Sequence, residues 1–345
     1  MDSSESSEYS FFTETKINNL EENLIKKNNF PLTQLYLFKN GQLIGKSTDS
    51  IIIITKTGEK KKIIKEISMK EKDTIKSIIL LKNEDLLYSS YNSIYCIKFI
   101  ENNLDYIVIN TLNFQKEKIE IINFYEMKDG KIICASNSGI IKVISQTKLG
   151  IYQVILTFYN KELAKNGIYE INKFLIFINE KRCLNFYNKY SFVLIKKLDS
   201  LNAFIDLKEN WMFKKDYILN NCVLEINKNL IAISTLGNGI FIINTIKFII
   251  VKNIINLDFT CWIKLKDGSF ITCEYTDNKN LISMEQWDIS DDGKEWRSIS
   301  RKNCIHNDYV YSMCIDENNT IYTSGSDFII KYWEISNDNS FSSDF

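Results

Sequence analysis

Proline, histidine and arginine are nearly missing from this chain. Pro31 and His306 are the sole residues of their types, and arginine occurs only at Arg182, Arg297 and Arg301. With one histidine, a Ser-His-Asp or Cys-His nucleophile would have to be built on His306. A zinc centre needs several spaced ligands. The eight cysteines (Cys96, Cys134, Cys183, Cys222, Cys261, Cys273, Cys304 and Cys314) contain no C-x-x-C pair and offer no such set. In a chain of 345 residues they do not read as a disulfide framework either. Neither a G-x-x-x-x-G-K-[ST] loop nor a G-x-G-x-x-G turn occurs, so nucleotide binding of those kinds has no support. The expectation is no catalytic residue, no metal ligand and no cofactor.

An excess of one charge is also lacking. Lys plus Arg and Asp plus Glu both number 43, giving a net charge of zero. A dedicated nucleic-acid or anionic-membrane binder usually carries a basic excess. The apolar runs, such as 51–54 and 248–251, fall far short of a membrane span. Residues 1–8 are acidic and polar, the reverse of a secretory signal. These features point to a cytoplasmic protein, with nuclear residence open, no membrane insertion and no nucleic-acid partner.

Aromatic residues are plentiful, at 13% of the chain with 18 Tyr and 21 Phe, and this favours strands. One unit recurs: an apolar strand, a short turn of Lys, Asn, Asp or Gly, a second strand, a small-residue turn and a third strand. The last copy runs from Val310 through Asp316 to Asn319, then Thr320 to Asp327, then Phe328 to Ile335. Other copies turn at Lys39-Asn40-Gly41, Lys128-Asp129-Gly130 and Lys266-Asp267-Gly268, and weaker ones at Lys82 to Asp85, Asn172-Lys173 and Asn227 to Asn229. Gly and Asn suit such corners because they tolerate positive φ.

The first apolar residue after each turn is Leu43, Leu86, Ile132, Phe174, Leu230, Phe270 or Ile321. The mean spacing is about 46 residues, the size of a four-stranded propeller blade. Seven blades are expected; the uneven spacing, with an extra strand or insertion in 201–221, leaves six or eight open. Cys134 and Cys273 are read at the same second-strand position, as small buried hydrophobes.

The closing repeat, Ser324-Gly325-Ser326-Asp327 leading to Lys331-Tyr332-Trp333-Glu334, resembles a WD40 blade. The repeat before it ends in Gln286-Trp287-Asp288-Ile289, which holds the dipeptide typical of that family. The resemblance implies an all-β, seven-bladed WD40-type β-propeller with a structural hydrogen-bond network at His306, Ser324 or Ser326, Asp327 and Trp333. The other five repeats lack the strand tryptophan, and no other repeat has a histidine. The resemblance also implies closure of the ring by an N-terminal strand, for which Tyr9 to Ile17 has the β-propensity. Residues 17–27 read as a short amphipathic helix. The expected organisation is a loose tail at 1–8, one propeller at 9–337 and a loose tail at 338–345.

The function this implies is a non-catalytic scaffold or adaptor that binds other proteins or peptides on the propeller faces, as a monomeric ring inside a hetero-complex. Two alternatives stay open: a hydrolase-type propeller enzyme using the central channel, and a phosphoinositide- or nucleic-acid-binding propeller. The phosphoinositide-binding relatives carry paired arginines, and no two arginines are adjacent here. The acidic stretch 288–293 reads as a solvated hairpin rather than a calcium loop, and Lys60-Lys61-Lys62 as a solvated strand edge. Trp211, Phe213 and Trp296 are read either as partner contacts or as cover for blade sides.

Overall fold

Each repeat begins with a hairpin whose corner satisfies its own backbone. In six of the seven first turns an Asn or Asp side chain accepts a backbone N–H two residues on: Asn40 to Gln42, Asn83 to Asp85, Asp129 to Lys131, Asn227 to Asn229, Asp267 to Ser269 and Asp316 to Asn318. The corner φ values are positive where the sequence places Gly, as at Gly130 (82°) and Gly268 (92°), and also at Glu84, Asn172 and Asn319.

The computed structural model describes residues 12–16, 32–47, 50–57, 60–68, 74–100, 105–159, 167–178, 184–198, 223–235, 239–254, 259–276, 281–306, 309–327 and 329–335. Strand β1 (Phe12–Lys16) comes first in the chain. Blade 1 is β2 (Gln34–Leu37), β3 (Leu43–Lys46), β4 (Ser50–Thr57) and β5 (Lys60–Ser68). Blade 2 is β6 (Ile75–Leu80), β7 (Leu86–Ser90), β8 (Ser93–Ile100) and β9 (Asp105–Asn113). Blade 3 is β10 (Ile121–Glu126), β11 (Ile132–Ser136), β12 (Ile140–Gln146) and β13 (Tyr152–Tyr159). Blade 4 is β14 (Ile168–Ile171), β15 (Phe174–Ile178), β16 (Leu184–Asn188) and β17 (Leu194–Leu198). Blade 5 is β18 (Val223–Asn227), β19 (Leu230–Thr235), β20 (Gly239–Asn244) and β21 (Ile249–Ile254). Blade 6 is β22 (Phe259–Lys264), β23 (Phe270–Thr276), β24 (Leu281–Ile289) and β25 (Trp296–His306). Blade 7 is β26 (Val310–Ile315), β27 (Ile321–Gly325) and β28 (Ile330–Ile335), with β1 as its fourth strand.

All seven sheets are four-stranded and antiparallel, so the seven-bladed propeller expected from the repeat is the observed fold. The N-terminal strand closes the ring: β1 runs antiparallel to β28, pairing Phe12 with Ile335 through Lys16 with Lys331. This covers an edge that would otherwise present unpaired backbone groups. Residues 1–11, 17–31, 201–222 and 336–345, and with them the expected tails, helix and insertion and the pair Trp211 and Phe213, lie outside the described residues.

The core is distributed around the ring in seven apolar seams, one between each pair of neighbouring blades. Ile78 and Leu86 of blade 2 pack with Ile44 and Ile51 of blade 1, and Tyr322 and Ile330 of blade 7 pack with Leu35 and Leu43 of blade 1. The second strand of each blade is therefore covered on both faces, as shown by the uniformly buried β7, β11, β15 and β27. The outer strands have one seamless side, and residues such as Ile107, Val108, Leu194 and Ile195 stay exposed.

Two readings are refined by this packing. Cys134 and Cys273 are both fully buried, yet they are one residue out of register. Cys134 packs in the seam with blade 2, and Cys273 in the seam with blade 7. A slip of one residue turns a strand side chain to the opposite face. Trp296 covers a blade side: it packs against Trp287 and Phe259, and its Nε1–H donates to the Gly293 carbonyl at 3.2 Å.

Candidate functional site in the closing blade and the channel

His306, at the end of β25, is fully buried at the seam between blades 6 and 7. Its Nδ1 lies 2.9 Å from each carboxylate oxygen of Asp327, and its Nε2 lies 2.8 Å from Thr323 Oγ1. Trp333 donates its Nε1–H to the same Thr323 oxygen at 3.0 Å. Indole can only donate and a carboxylate only accept. With a neutral imidazole, Nδ1–H therefore donates to Asp327, and Nε2 accepts the Thr323 hydroxyl proton.

The structure thus brings together His306, Asp327 and Trp333, but the hydroxyl that joins them belongs to Thr323, not to Ser324 or Ser326. The reason is strand alternation. Thr323 shares a blade face with Trp333, whereas Ser324 points to blade 1 and donates to the Leu32 carbonyl at 3.0 Å. Ser326 sits in the turn, where its backbone N–H donates to the Tyr309 carbonyl at 2.8 Å. Gly325 is required by proximity, since a Cβ there would lie 2.6 Å from His306 Nδ1 and 2.8 Å from Asp327 Oδ1. Blade 6 repeats half of the arrangement: Trp287 Nε1–H donates to Thr272 Oγ1 at 2.9 Å. The side chains of His306, Thr323, Asp327 and Trp333 satisfy one another out of solvent, so the network ties strands together.

A concave feature of the ring lies in its channel. Inner strands β2, β6, β10, β14 and β18 line a cavity of about 310 Å³, with Tyr36, Phe124, Tyr125 and Tyr169 as its aromatic wall and Glu126 as its carboxylate. These side chains reach the channel because the inner strand of each blade turns its edge to the axis. Tyr36 is held by donating its hydroxyl to the Ile78 carbonyl of the next blade at 3.0 Å. Tyr125 and Tyr169 meet edge to face with ring centres 6.5 Å apart. Burial pushes the Tyr36 and Tyr125 phenols above their ordinary pKa, so both stay neutral donors. Glu126 already accepts the Lys82 backbone N–H at 3.0 Å.

That contact is one of a series of three in which a carboxylate of blade 2, 3 or 4 takes the first-turn N–H of the blade before. Lys39 donates to Glu84, Lys82 to Glu126 and Lys128 to Glu170, at separations of 45, 44 and 42 residues. The acidic stretch 288–293 spans the end of β24 and the hairpin turn to β25, with Asp292 Oδ1 accepting from the Ser290 hydroxyl at 2.7 Å and the Lys294 N–H at 3.0 Å. Lys60 to Lys62 open β5, the outer strand of blade 1. Among the described residues, no three His, Cys, Asp or Glu side chains converge as a metal-holding group. The channel wall can hold an apolar or aromatic side chain, or a cation over its rings.

No protein-family model and no curated protein matches the sequence. Among solved structures, the chain is similar to one in the crystal structure of the mitotic checkpoint complex, with a TM-score of 0.65 and 12% identity over 98% of both chains. It is also similar to the WD40 β-propeller domain of Doa1, with a TM-score of 0.58 and 10% identity over 89% of this chain and 94% of that one. Seven four-stranded blades, an N-terminal closing strand and these likenesses agree, and the fold of this chain is that of a seven-bladed WD40-type β-propeller.

Proposed function

We propose that the chain is a non-catalytic interaction platform, a cytoplasmic adaptor that holds protein or peptide partners within a larger assembly. The observation that carries this reading is the aromatic channel cavity, about 310 Å³ and set in a ring stiffened by buried seams. A pocket of that size accepts one or two side chains from a partner and fixes them by shape and a few polar groups. The similarity to a chain from the mitotic checkpoint complex adds support, since that ring is found in a protein assembly.

The hydrolytic alternative is not favoured by the channel's chemistry. Acid–base hydrolysis of a glycosidic bond uses two carboxyl groups facing the scissile bond. The cavity wall presents one, Glu126, and that one is engaged by a backbone N–H.

The test is affinity purification of the tagged protein from its own cells with quantitative mass spectrometry, run beside a Tyr125→Ala/Tyr169→Ala variant. A stoichiometric set of proteins with the wild type, depleted at least tenfold by the variant, is the expected result. A wild-type ring recovered alone, or a purified ring that turns over a substrate, would overturn the proposal. Circular dichroism of the variant separates loss of contact from loss of fold.

A further inference from the structure

The hairpin turns between the third and fourth strands of blades 3, 4 and 5, residues 146–151, 188–193 and 244–248, share a composition. Each carries one lysine beside a bulky apolar or aromatic residue: Lys148 with Leu149, Lys189 with Tyr190, and Lys247 with Ile246. The bulky residues stand in solvent, Leu149 85% exposed, Tyr190 71% and Ile246 62%. They are displayed by built turns. Asn188 Oδ1 accepts the Tyr190 and Ser191 N–H groups at 2.9 and 3.0 Å, and Asn244 Oδ1 accepts those of Ile246 and Lys247 at 3.0 and 2.9 Å. In the same turns Phe192 packs inward on Phe158 and Phe248 on Phe186, with ring centres 5.7 and 5.1 Å apart, so the chain is pinned while its neighbours project.

The charge carried by these turns and their outer strands is of one sign. Residues 145–159, 188–198 and 244–254, which hold the turns and the outer strands beside them, contain six lysines and no Asp or Glu. On a chain of zero net charge this is a segregation. It stops at blade 6, whose equivalent turn carries Asp291, Asp292 and Glu295. Of the six, Lys189 is occupied by Glu170 at 2.7 Å, Lys252 donates to the Lys294 carbonyl and Lys197 is half-buried, which leaves Lys148, Lys196 and Lys247 as the exposed charges of the strip.

We propose that these three turns dock the propeller, rim first, on an anionic lipid bilayer surface. Interface cores between proteins are depleted in lysine and seat their anchors in pockets. Here the apolar residues are convex tips flanked by lysines, the composition of surfaces that press apolar groups into the headgroup boundary while ammonium groups meet anionic lipids. The proposal goes beyond the adaptor reading and does not depend on it.

The test is flotation of the purified full chain with phosphatidylcholine vesicles, with and without phosphatidylserine. The wild type should float with the phosphatidylserine vesicles at low salt and be released by high salt. Each lysine at an anionic surface is worth about fivefold in binding, so Lys148→Gln/Lys247→Gln should weaken it about twenty-five-fold. Leu149→Ser/Ile246→Ser, at exposed tips with no packing role, should abolish flotation with the fold unchanged by circular dichroism. A wild type that stays below phosphatidylserine vesicles at low salt overturns the proposal, as does equal flotation of the serine variant. If vesicles are ignored while the serine variant loses proteins from native extracts, the strip belongs to a protein partner instead. Because the assay contains only the ring and lipid, its result is independent of the channel proposal.

Discussion

Ser324 donates its hydroxyl to the carbonyl of Leu32, 292 residues earlier in the chain, at 3.0 Å. The same seam is crossed by the Leu35 N–H, which donates to Ser312 Oγ at 3.0 Å. Where blades are joined by continuous chain the device recurs: Ser89 donates to the Ile121 carbonyl at 2.8 Å and Ser234 to the Phe259 carbonyl at 3.0 Å. The seam between the first and last blades is thus built like the others, and β1 only has to cover the outer edge. Ser324→Ala should therefore cost about 1 kcal/mol in chemical denaturation. Deleting residues 1–16 should do more, lowering the melting temperature and producing oligomers in light scattering as β28 becomes an open edge. A truncated chain that stays monomeric with an unchanged melting temperature would show that β1 has no closing role.

Thr323 joins two buried side chains, His306 Nε2 and Trp333 Nε1, whereas Thr272 joins one, Trp287 Nε1, and donates its hydroxyl to the Glu285 carbonyl at 3.3 Å. Stranding a buried polar group costs about 1–3 kcal/mol. Thr323→Val, close to isosteric, strands two buried side-chain groups against one for Thr272→Val and should destabilise the ring more. Equal denaturation midpoints for the two variants would remove Thr323 from the centre of the network.

Much of this fold is legible from turn chemistry. The seven residues Leu43, Leu86, Ile132, Phe174, Leu230, Phe270 and Ile321, picked as the first apolar position after each turn, are the first residues of β3, β7, β11, β15, β19, β23 and β27. Positive φ and Asx side chains mark those corners strongly. The fourth strands were not separated in the repeat because their neighbouring positions are exposed on both sides, as Ile155 and Leu156 or Leu194 and Ile195 are, and period-2 alternation fades. The network was legible at His306, Asp327 and Trp333. Its hydroxyl was misplaced by one residue, because a run of Thr323-Ser324-Gly325-Ser326 offers hydroxyls on both strand faces and composition cannot say which one faces Trp333. The glutamates spaced at the blade period, Glu84, Glu126 and Glu170, were missed. Their signal lay in the interval from lysine to glutamate, 45, 44 and 42 residues, which reads as a relay only once neighbouring turns are known to touch.

That relay has one buried member. Glu170 accepts the Lys128 N–H at 2.6 Å and the Lys189 ammonium at 2.7 Å with its carboxylate nearly out of solvent, while Glu84 is half-buried and accepts only the Lys39 N–H at 2.8 Å. Glu170→Ala leaves a backbone donor and an ammonium unpaired and should cost about 3 kcal/mol, against about 1 kcal/mol for Glu84→Ala. Urea denaturation of the two variants checks the ranking. A Glu84→Ala loss as large as that of Glu170→Ala would mean that burial does not set the strength of these links.

The alkaline limb of stability is set by buried groups of opposite sign. Burial pushes the Cys96 thiol up to about 12, and the Cys134 and Cys273 thiols well above their usual range. Above about pH 8.5 these thiols ionise in the unfolded chain but not in the folded one, so stability falls as pH rises. Lys46 works the other way. It is buried with its Nζ on Thr33 Oγ1 at 3.2 Å, and burial, helped by the nearby Lys76 ammonium, pushes its pKa down to about 8. Below pH 8 the folded chain must keep that charge out of water. Between about 8 and the unfolded value near 10.4, only the unfolded chain holds the proton, and the penalty fades. Lys46→Met should therefore be the more stable protein at pH 7, by up to about 3 kcal/mol, and should lose that advantage by about pH 10.5. Urea midpoints of both proteins across this range give the difference curve. A flat difference would show that Lys46 pays no desolvation cost in the fold, and a rising one would reverse the assignment.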